Sequence, residues 1–590
     1  MKKSYYYDEA RTPNFNLHPV SKIKDVSSIK GHDNIVQAIK EKITSINKEK
    51  IVVVFDYYHG INEEVLLKEV IEKLGADLLI DTNEAHYSEE EILNRFGKNI
   101  TDDRIMGVMC IEHIDKCFDP SIVKDLREKI EQANGLIVVY GVAATEIYKG
   151  DIVVFGNMAK QEVLARYRKG LDNWGAGNYN EDFLKKEKRF NFFEGRMQEW
   201  HKRPILNSCD FIIDGNSENA DVMVTGEDFK KACKQLTKQP FQNIPYFAPA
   251  VWGGHWAQKV LGAKPEEVNI GWATPAALEM LPVALEMGGN EFVIHGADLM
   301  YVEPKGIIGF KQFSNYGYKA PVIANYLDTW EGGNLSLQVH PIMSYCQEMF
   351  NADFGHHESY YMMDTMEDSS VYLGVKEDVD FDEMISAFKE AQETGKFDDT
   401  KYINNFPMKK HDHIYVPGGT IHASGKNTVV LELDIFGLQT FKLWDWGRID
   451  FDGKPRPINI EHGEKVIQNE IRTEFVKKNL ISKRQEVASG YGWRKEFSGT
   501  TEYEPFAVYR YFFDKTVFLE TNDVIHIIVL TEGEEAIIES PNGDFGPFVI
   551  HYAEAVFIPA AVGQFTVKPY GKSASEECAI VDCYMDFSIK

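Results

Sequence analysis

The sequence predicts a multidomain chain: an N-terminal α/β unit on a mainly parallel sheet, then an all-β double jelly roll with one helical insertion. Three observations carry this. Early in the chain, short apolar runs alternate with stretches of amphipathic helical spacing. From about Phe241, Gly, Pro and aromatic residues become frequent, and after Met408 the chain is short β segments punctuated by turns. Finally, "HIYVPGGTIH" (413–422) and "AVFIPAAVGQ" (555–564) share an apolar strand, a proline, small residues and a final polar residue at equal spacing, as a duplication would.

The elements follow in chain order. "KIVVVFDYYHG" from Lys50 has the look of a buried strand. "NEEVLLKEVIEKL" from Asn62 puts Leu66, Leu67, Val70, Ile71 and Leu74 on one side of a helix. "ADLLIDT" and "GLIVVYGVAA" are further strands, with "DPSIVKDLREKIEQA" from Asp119 a capped helix between them. The α/β unit is expected to close near Asn216. Boundaries are set at 1–238 for this unit, 239–480 for the first β half with a helix at "DFDEMISAFKEAQETGKF", and 481–590 for the second half. The β region is expected to fold alone. In the repeat, His422 of the first half is matched by Gln564 of the second, so only the first half keeps a metal-ligating side chain there.

A chain of 590 residues exceeds one ordinary domain, and 44% hydrophobic residues suffice for several cores. The formal charge of −27 argues against nucleic acid or an anionic membrane as partner. Seven scattered cysteines without a C-x-x-C pair argue against a disulfide framework or a thiolate zinc site. With no apolar leader and no run near the ~20 residues a membrane span needs, a cytoplasmic location is expected.

The chemistry gathers around "GGNLSLQVHP" from Gly332. Ser336, Gln338 and His340 alternate on one strand face, so an amide and an imidazole can reach one ion. "GHHESYYMMD" adds Glu358 ahead of an aromatic strand, and "VPGGTIHAS" adds His422 after a tight turn. Two imidazoles, a carboxylate and an amide oxygen suit Zn²⁺, with Mn²⁺, Fe²⁺ or Co²⁺ as alternatives.

These motifs, with "VWGGHWAQKVLG" (251–262) and "LWDWGRIDFDGKPRPINIEH" (443–462), resemble the type I phosphomannose isomerase family, a zinc-dependent double cupin. The resemblance covers roughly residues 240 to 590. It implies Gln338, His340, Glu358 and His422 as zinc ligands, one ion per chain, and Arg448 as a catalytic arginine. It further implies Trp252, Ser336 and His356 as substrate-binding residues. The implied reaction is aldose–ketose isomerisation of a hexose phosphate, mannose 6-phosphate to fructose 6-phosphate, through an enediol. Where the family commonly has lysines, this chain has His356 and, ahead of "YLD", Asn325; Ile342 and Met343 replace acids after the His-Pro. These departures keep a second reading open, a non-catalytic double cupin that binds a sugar and regulates. A cupin oxygenase using Fe²⁺ is a third reading, but its sites are richer in histidine.

The N-terminal unit faintly resembles uridine-kinase-like phosphotransferases, in part through Arg166, Arg168, Arg196, Lys202 and Arg203. After its first strand Gly60 is followed by "INEEVLL", without the second glycine and Lys-Ser/Thr of a phosphate loop. A degenerate kinase-like domain with no nucleotide site is expected; a solvated basic helix is the alternative.

Overall fold

The computed structural model describes residues 5–7, 11–435, 437–499 and 504–587. The chain forms two compact units. A β-rich unit comprises Met1–Pro19, Lys238–Ala277 and Lys305–Lys590; an α/β unit comprises Val20–Thr237 and Leu278–Pro304.

This division differs from a single cut at 238/239. The α/β unit does not close at Asn216: strand Val222–Thr225 and helix Gly226–Leu236 follow. Residues 278–304 also belong to it, as the hairpin Pro282–Met287/Asn290–His295 and helix Gly296–Val302. The hairpin pairs in parallel with Val20–Lys22, and Val283, Leu285, Phe292 and Ile294 are fully buried. A chain begun at 239 would strip that hairpin of its neighbours, so the β region cannot be excised cleanly there. The first residues, conversely, join the β unit: Tyr6 stacks on Tyr552 at 3.6 Å and Arg11 pairs with Glu534 at 2.9 Å. A hairpin sequence looks the same whichever core it packs on, so local pattern does not disclose either exchange.

The α/β sheet runs, in spatial order, Ile29–Lys30, Val222–Thr225, Phe211–Asp214, Ile152–Asn157, Lys50–Tyr57, Gly135–Val142 and Leu78–Asp81. The last five strands are mutually parallel, and the first two join antiparallel. The predicted helices form with their caps: Asp119 accepts from Ser121 N with Pro120 in the first turn, and Asn62 accepts from Val65 N.

Two of the basic residues here, Arg166 and Lys202, are buried rather than solvated, whereas Arg168 is exposed. Arg166 donates to the carbonyls of Gly60, Gly215 and Asn216, clamping the loop after the central strand. Lys202 is fully buried, 2.8 Å from Asp298 and 3.1 Å from Glu199. Asn157 donates to the other Asp298 oxygen at 2.7 Å, and Tyr301 donates to Glu199 at 2.9 Å. Removing one member of such a network strands opposite charges in a low-dielectric interior. Lys202→Ala is therefore expected to destabilise this unit by roughly 3–5 kcal/mol. Denaturant unfolding measures it, and a loss below about 1 kcal/mol, the scale of an exposed pair, would refute the inference.

The β unit contains the same two-sheet arrangement twice. In the first half a six-stranded sheet has the order His413–Val416, His357–Thr365, Thr428–Ile435, Val322–Asp328, Trp272–Ala276, Tyr246–Ala248. In the second the order is Ala555–Ile558, His526–Glu532, Cys578–Met585, Phe506–Phe513, Trp493–Phe497, Gln485–Gly490. Ranked by chain position within each half, the two orders are identical. The smaller sheets agree likewise: Ile403–Pro407, Ser370–Val375, His422–Ser424, Leu337–Val339 against Phe548–His551, Glu535–Glu539, Gln564–Pro569, Val517–Glu520. The first adds Phe441–Trp444 at its edge. The helical insertion, Phe381–Thr394 capped by Asp380, lies between two strands of the first half.

The duplication refines one position. Gln564 is exposed, and its neighbour Phe565 points into the second half's core with Leu519. The strand that carries His422 thus has an apolar inward counterpart.

Candidate metal centre

Gln338 lies on the short strand Leu337–Val339, directly across from His422 on His422–Ser424. Paired residues of antiparallel strands share a face, so both aim into the first β half. Glu358, the second residue of strand His357–Thr365, reaches them from the facing sheet. His340 Nε2 is 2.6 Å from Glu358 Oε1, and His422 Nε2 is 3.0 Å from Glu358 Oε2. The Gln338 amide is 3.3 Å from His422 Nε2 and receives the Ser336 hydroxyl at 3.2 Å. The predicted ligands therefore converge from three separated segments, and Ser336 braces one of them. All are at most 5% exposed.

Fit to a cation is legible in the donors. One ligand atom each from His340, Glu358 and His422 lie within 4.8 Å of one another. His340 Nε2 and Glu358 Oε2 have no well-oriented hydrogen bond despite burial. His422 Nδ1 lies 2.9 Å from the Thr420 carbonyl, an orientation that turns Nε2 to the cluster. Burial pushes His340 down to about 4, a neutral, ligating imidazole. Burial alone would raise Glu358, but the imidazoles of His340 and His422 hold it well below the carboxylate range.

His356 sits beside this cluster, its ring 3.8 Å from that of His340. Its Nε2 is 3.1 Å from both Glu358 and Asp434. Burial opposes its protonation, but the bonds to Asp434 and Glu358 outweigh it and push His356 up to about 10. Asp434 is raised to about 6 by burial, and Glu432 well above the ordinary range by burial and the Glu358 charge. Asn325 donates to Glu432 at 2.9 Å. His356 and Asn325, the positions where the resemblance expects lysines, thus hold an imidazolium and an amide, each engaged with an acid of one strand.

Those acids are what the sequence reading passed over. "TVVLELDIFG" puts Glu432 and Asp434 on alternate positions of an apolar strand, the same period-2 signal that singled out Gln338 and His340. Lys442 was passed over too. It pairs across from Gln338 and so shares the metal face. Its ammonium makes no hydrogen bond or ion pair with the described residues, and is pulled down to about 8, first by burial and then by Arg456.

Arg448 sits in an ion-pair network and Trp252 in a packed core. The Arg448 guanidinium is bonded to the Asp445 carboxylate and donates to the Asn334 carbonyl at 2.6 Å. Arg456 holds the other Asp445 oxygen at 2.9 Å. Trp252 is fully buried, edge-on to Trp272 at 5.1 Å, and its carbonyl accepts from Gly333 N. Two residues on, Gly254 is packed so closely that a Cβ would lie 2.3 Å from Asp328 Oδ1 and 2.5 Å from the Trp330 backbone. The Trp-Gly-Gly segment is thus a packing device that anchors the loop leading to Gln338.

Residues 31–238 match the family model described as "Domain of unknown function (DUF8485)". Over 233 residues the chain is 28% identical to the probable mannose-6-phosphate isomerase GmuF of Bacillus subtilis, covering 38% of this chain and 66% of that protein. It is 26% identical over 243 residues to mannose-6-phosphate isomerase ManA of the same organism, covering 40% and 69%. It is 27% identical to mannose-6-phosphate isomerase of Streptococcus mutans over 225 residues, covering 37% and 64%. The chain spans about two thirds of the length of the curated relatives it matches. Among solved structures, the B. subtilis mannose 6-phosphate isomerase aligns at 19% identity and a TM-score of 0.48, over 59% of this chain and 100% of that one.

Proposed function

We propose that the chain is a metal-dependent aldose–ketose isomerase of a hexose phosphate, interconverting mannose 6-phosphate and fructose 6-phosphate. The observation that carries this is the convergence of Gln338, His340, Glu358 and His422 on one buried locus. The names of the relatives support the substrate. All seven cysteines are free and buried, which suits a reducing, cytoplasmic setting. No helix among the described residues is long and apolar enough to cross a membrane.

The four residues would hold one divalent ion, zinc by their donor chemistry. When bound, it supplies Lewis-acid polarisation of adjacent substrate oxygens. His356 steadies Glu358 through its bond and places a fixed positive charge where the family has lysine. Lys442, unpaired on the same face, is the cation we assign to the substrate's developing enediolate or its phosphate. Glu432, raised well above the ordinary range by burial and the Glu358 charge, accepts the Asn325 amide behind the site.

A second reading has its own support. Both lysine positions are replaced and Arg448 is engaged by Asp445, which favours a binding protein that retains the sugar without turning it over. A coupled assay with mannose 6-phosphate and free mannose decides. Metal-dependent binding without turnover would sink the enzyme and leave the sensor.

For the N-terminal unit we infer a kinase-like domain without a nucleotide site. Its support is the sheet order, in which the first parallel strand lies between the third and fourth, and a loop where Glu63 and Glu64 stand at the helix start. Tight magnesium-dependent ATP binding by calorimetry would overturn it.

A further inference from the structure

The second β half carries a polar cluster where the first carries the acids behind its metal centre. Glu358 pairs with Asp434 on one side and with Val416, the last residue of its neighbour strand, on the other. His526 pairs with Tyr584 on one side and with Ile558, the last residue of its own neighbour, on the other. Two residues on, Tyr360–Glu432–Asn325 corresponds to Ile528–Asp582–Tyr509. His526, Tyr584, Asp582 and Tyr509 therefore occupy the places of Glu358, Asp434, Glu432 and Asn325. The facing sheet has become apolar at Leu519 and Phe565, so the half of the site that supplies Gln338 and His422 is gone. What remains is not a metal centre, yet it is not a sealed core either.

Asp582 and His526 are 2% exposed and bonded at 2.7 Å, with His526 Nε2 3.1 Å from the Thr521 carbonyl. Tyr584 stacks on His526 at 4.2 Å and lies 6.1 Å from Tyr509. Lys495 shares this inward face, because it pairs directly with the core residue Tyr511. Its ammonium lies 3.8 Å from the ring centre of Tyr509 and 5.2 Å from that of Tyr511. It makes no hydrogen bond or ion pair with the described residues, and burial pulls its proton affinity down. Lys495, Tyr509 and Tyr584 are only half-buried, so the mouth is open to solvent.

An inward ammonium over two ring faces, with no hydrogen bond or ion pair, keeps three donors unmatched. The Asp582 charge bears on it, but Asp582 is hydrogen-bonded by His526 and makes no ion pair with Lys495. The matching ligand carries an anionic group for Lys495, hydroxyls for the tyrosines and the His526–Asp582 pair, and a C–H face for the rings. We propose that this mouth binds a small polyhydroxylated anion, a hexose phosphate or a sugar acid, at a site separate from the first half's cluster and needing no metal.

The test is hydrogen exchange of the full chain with glucose 6-phosphate, gluconate and neutral glucose as probes. Slowed exchange is expected at Trp493–Phe497, Phe506–Phe513 and Cys578–Met585 with either anion, unchanged by chelator. Preference for the phosphate or the carboxylate identifies the anion. Lys495→Met should raise the half-saturating concentration about tenfold or more, and Lys495→Arg should recover most of it, the scale of one charge-assisted contact. Melting temperature confirms folding; should Lys495→Met fail to fold, Tyr509→Ala serves, with the same weakening expected. The proposal falls if no probe slows these strands up to about 10 mM, where a contact worth only a few kcal/mol would already register. It also falls if glucose matches the anions, or if a folded variant binds as the wild type does.

Discussion

His422→Ala is expected to leave the protein folded, free of its metal, and inactive. His422 is wholly buried and touches both Glu358 and Gln338, so it joins the two sheets that build the site. Its orientation is set from behind by the Thr420 carbonyl, which makes Nε2 the free ligand atom. Removing it takes away a direct donor, not a support. Loss of a supporting partner alone typically costs 10–100-fold in metal affinity, so loss of the ligand should cost more. The wild type should carry close to one divalent ion per chain by elemental analysis, and the variant almost none. Because the ion supplies several kcal/mol of charge stabilisation, kcat/KM should fall by about 10³-fold or more. A variant that keeps its ion at the wild-type level would sink the assignment, whatever its activity.

Much of that site was legible in the sequence because β-strands write their faces at every second residue. Gln338 and His340 stand out against Leu337 and Val339, and His422 follows a turn whose Pro-Gly-Gly chemistry is local. The same rule applied to "VVLELDI" would have found Glu432 and Asp434; two acids in an apolar strand read as solvent-facing until the neighbours are known. Lys442 was hidden differently. Its place on the metal face comes from pairing with Gln338, a contact between residues a hundred positions apart that no local pattern encodes. For Arg448 and Trp252 the motif is legible in the sequence and the packing is not. Their motifs are conspicuous, but Asp445 and Asn334 occupy the guanidinium, and Trp252 fills a core. In the α/β unit the strands and caps were readable, whereas the capture of 278–304 was not, since an edge hairpin carries no label for the sheet it joins.

The two cations near the site should respond in opposite ways to substitution. Lys442→Met should retain the metal and the melting temperature and lose about 10²-fold or more in kcat/KM, the scale of one preorganised charge removed from a developing oxyanion. Arg448→Ala should lower the melting temperature by a few degrees, because Asp445 keeps only Arg456, while activity per folded molecule changes little. The pH dependence separates them further. Lys442 faces Arg456, Asp445 and Asp450, and burial with the Arg456 charge brings it down to about 8. Its useful form is the protonated one, so kcat/KM should decline as pH rises through about 8. That limb should vanish in Lys442→Met and in Lys442→Arg, the latter keeping its charge throughout. Stability carries the opposite sign. With a depressed folded-state value, the unfolded chain binds the extra proton between about 8 and the ordinary lysine value of ~10.4, so this group makes stability rise with pH across that window. A wild type whose kcat/KM limb and stability rise both persist in Lys442→Met would remove Lys442 from the site. A large loss in Arg448→Ala with metal and melting temperature intact would return the role to the arginine, freed from Asp445 when substrate binds.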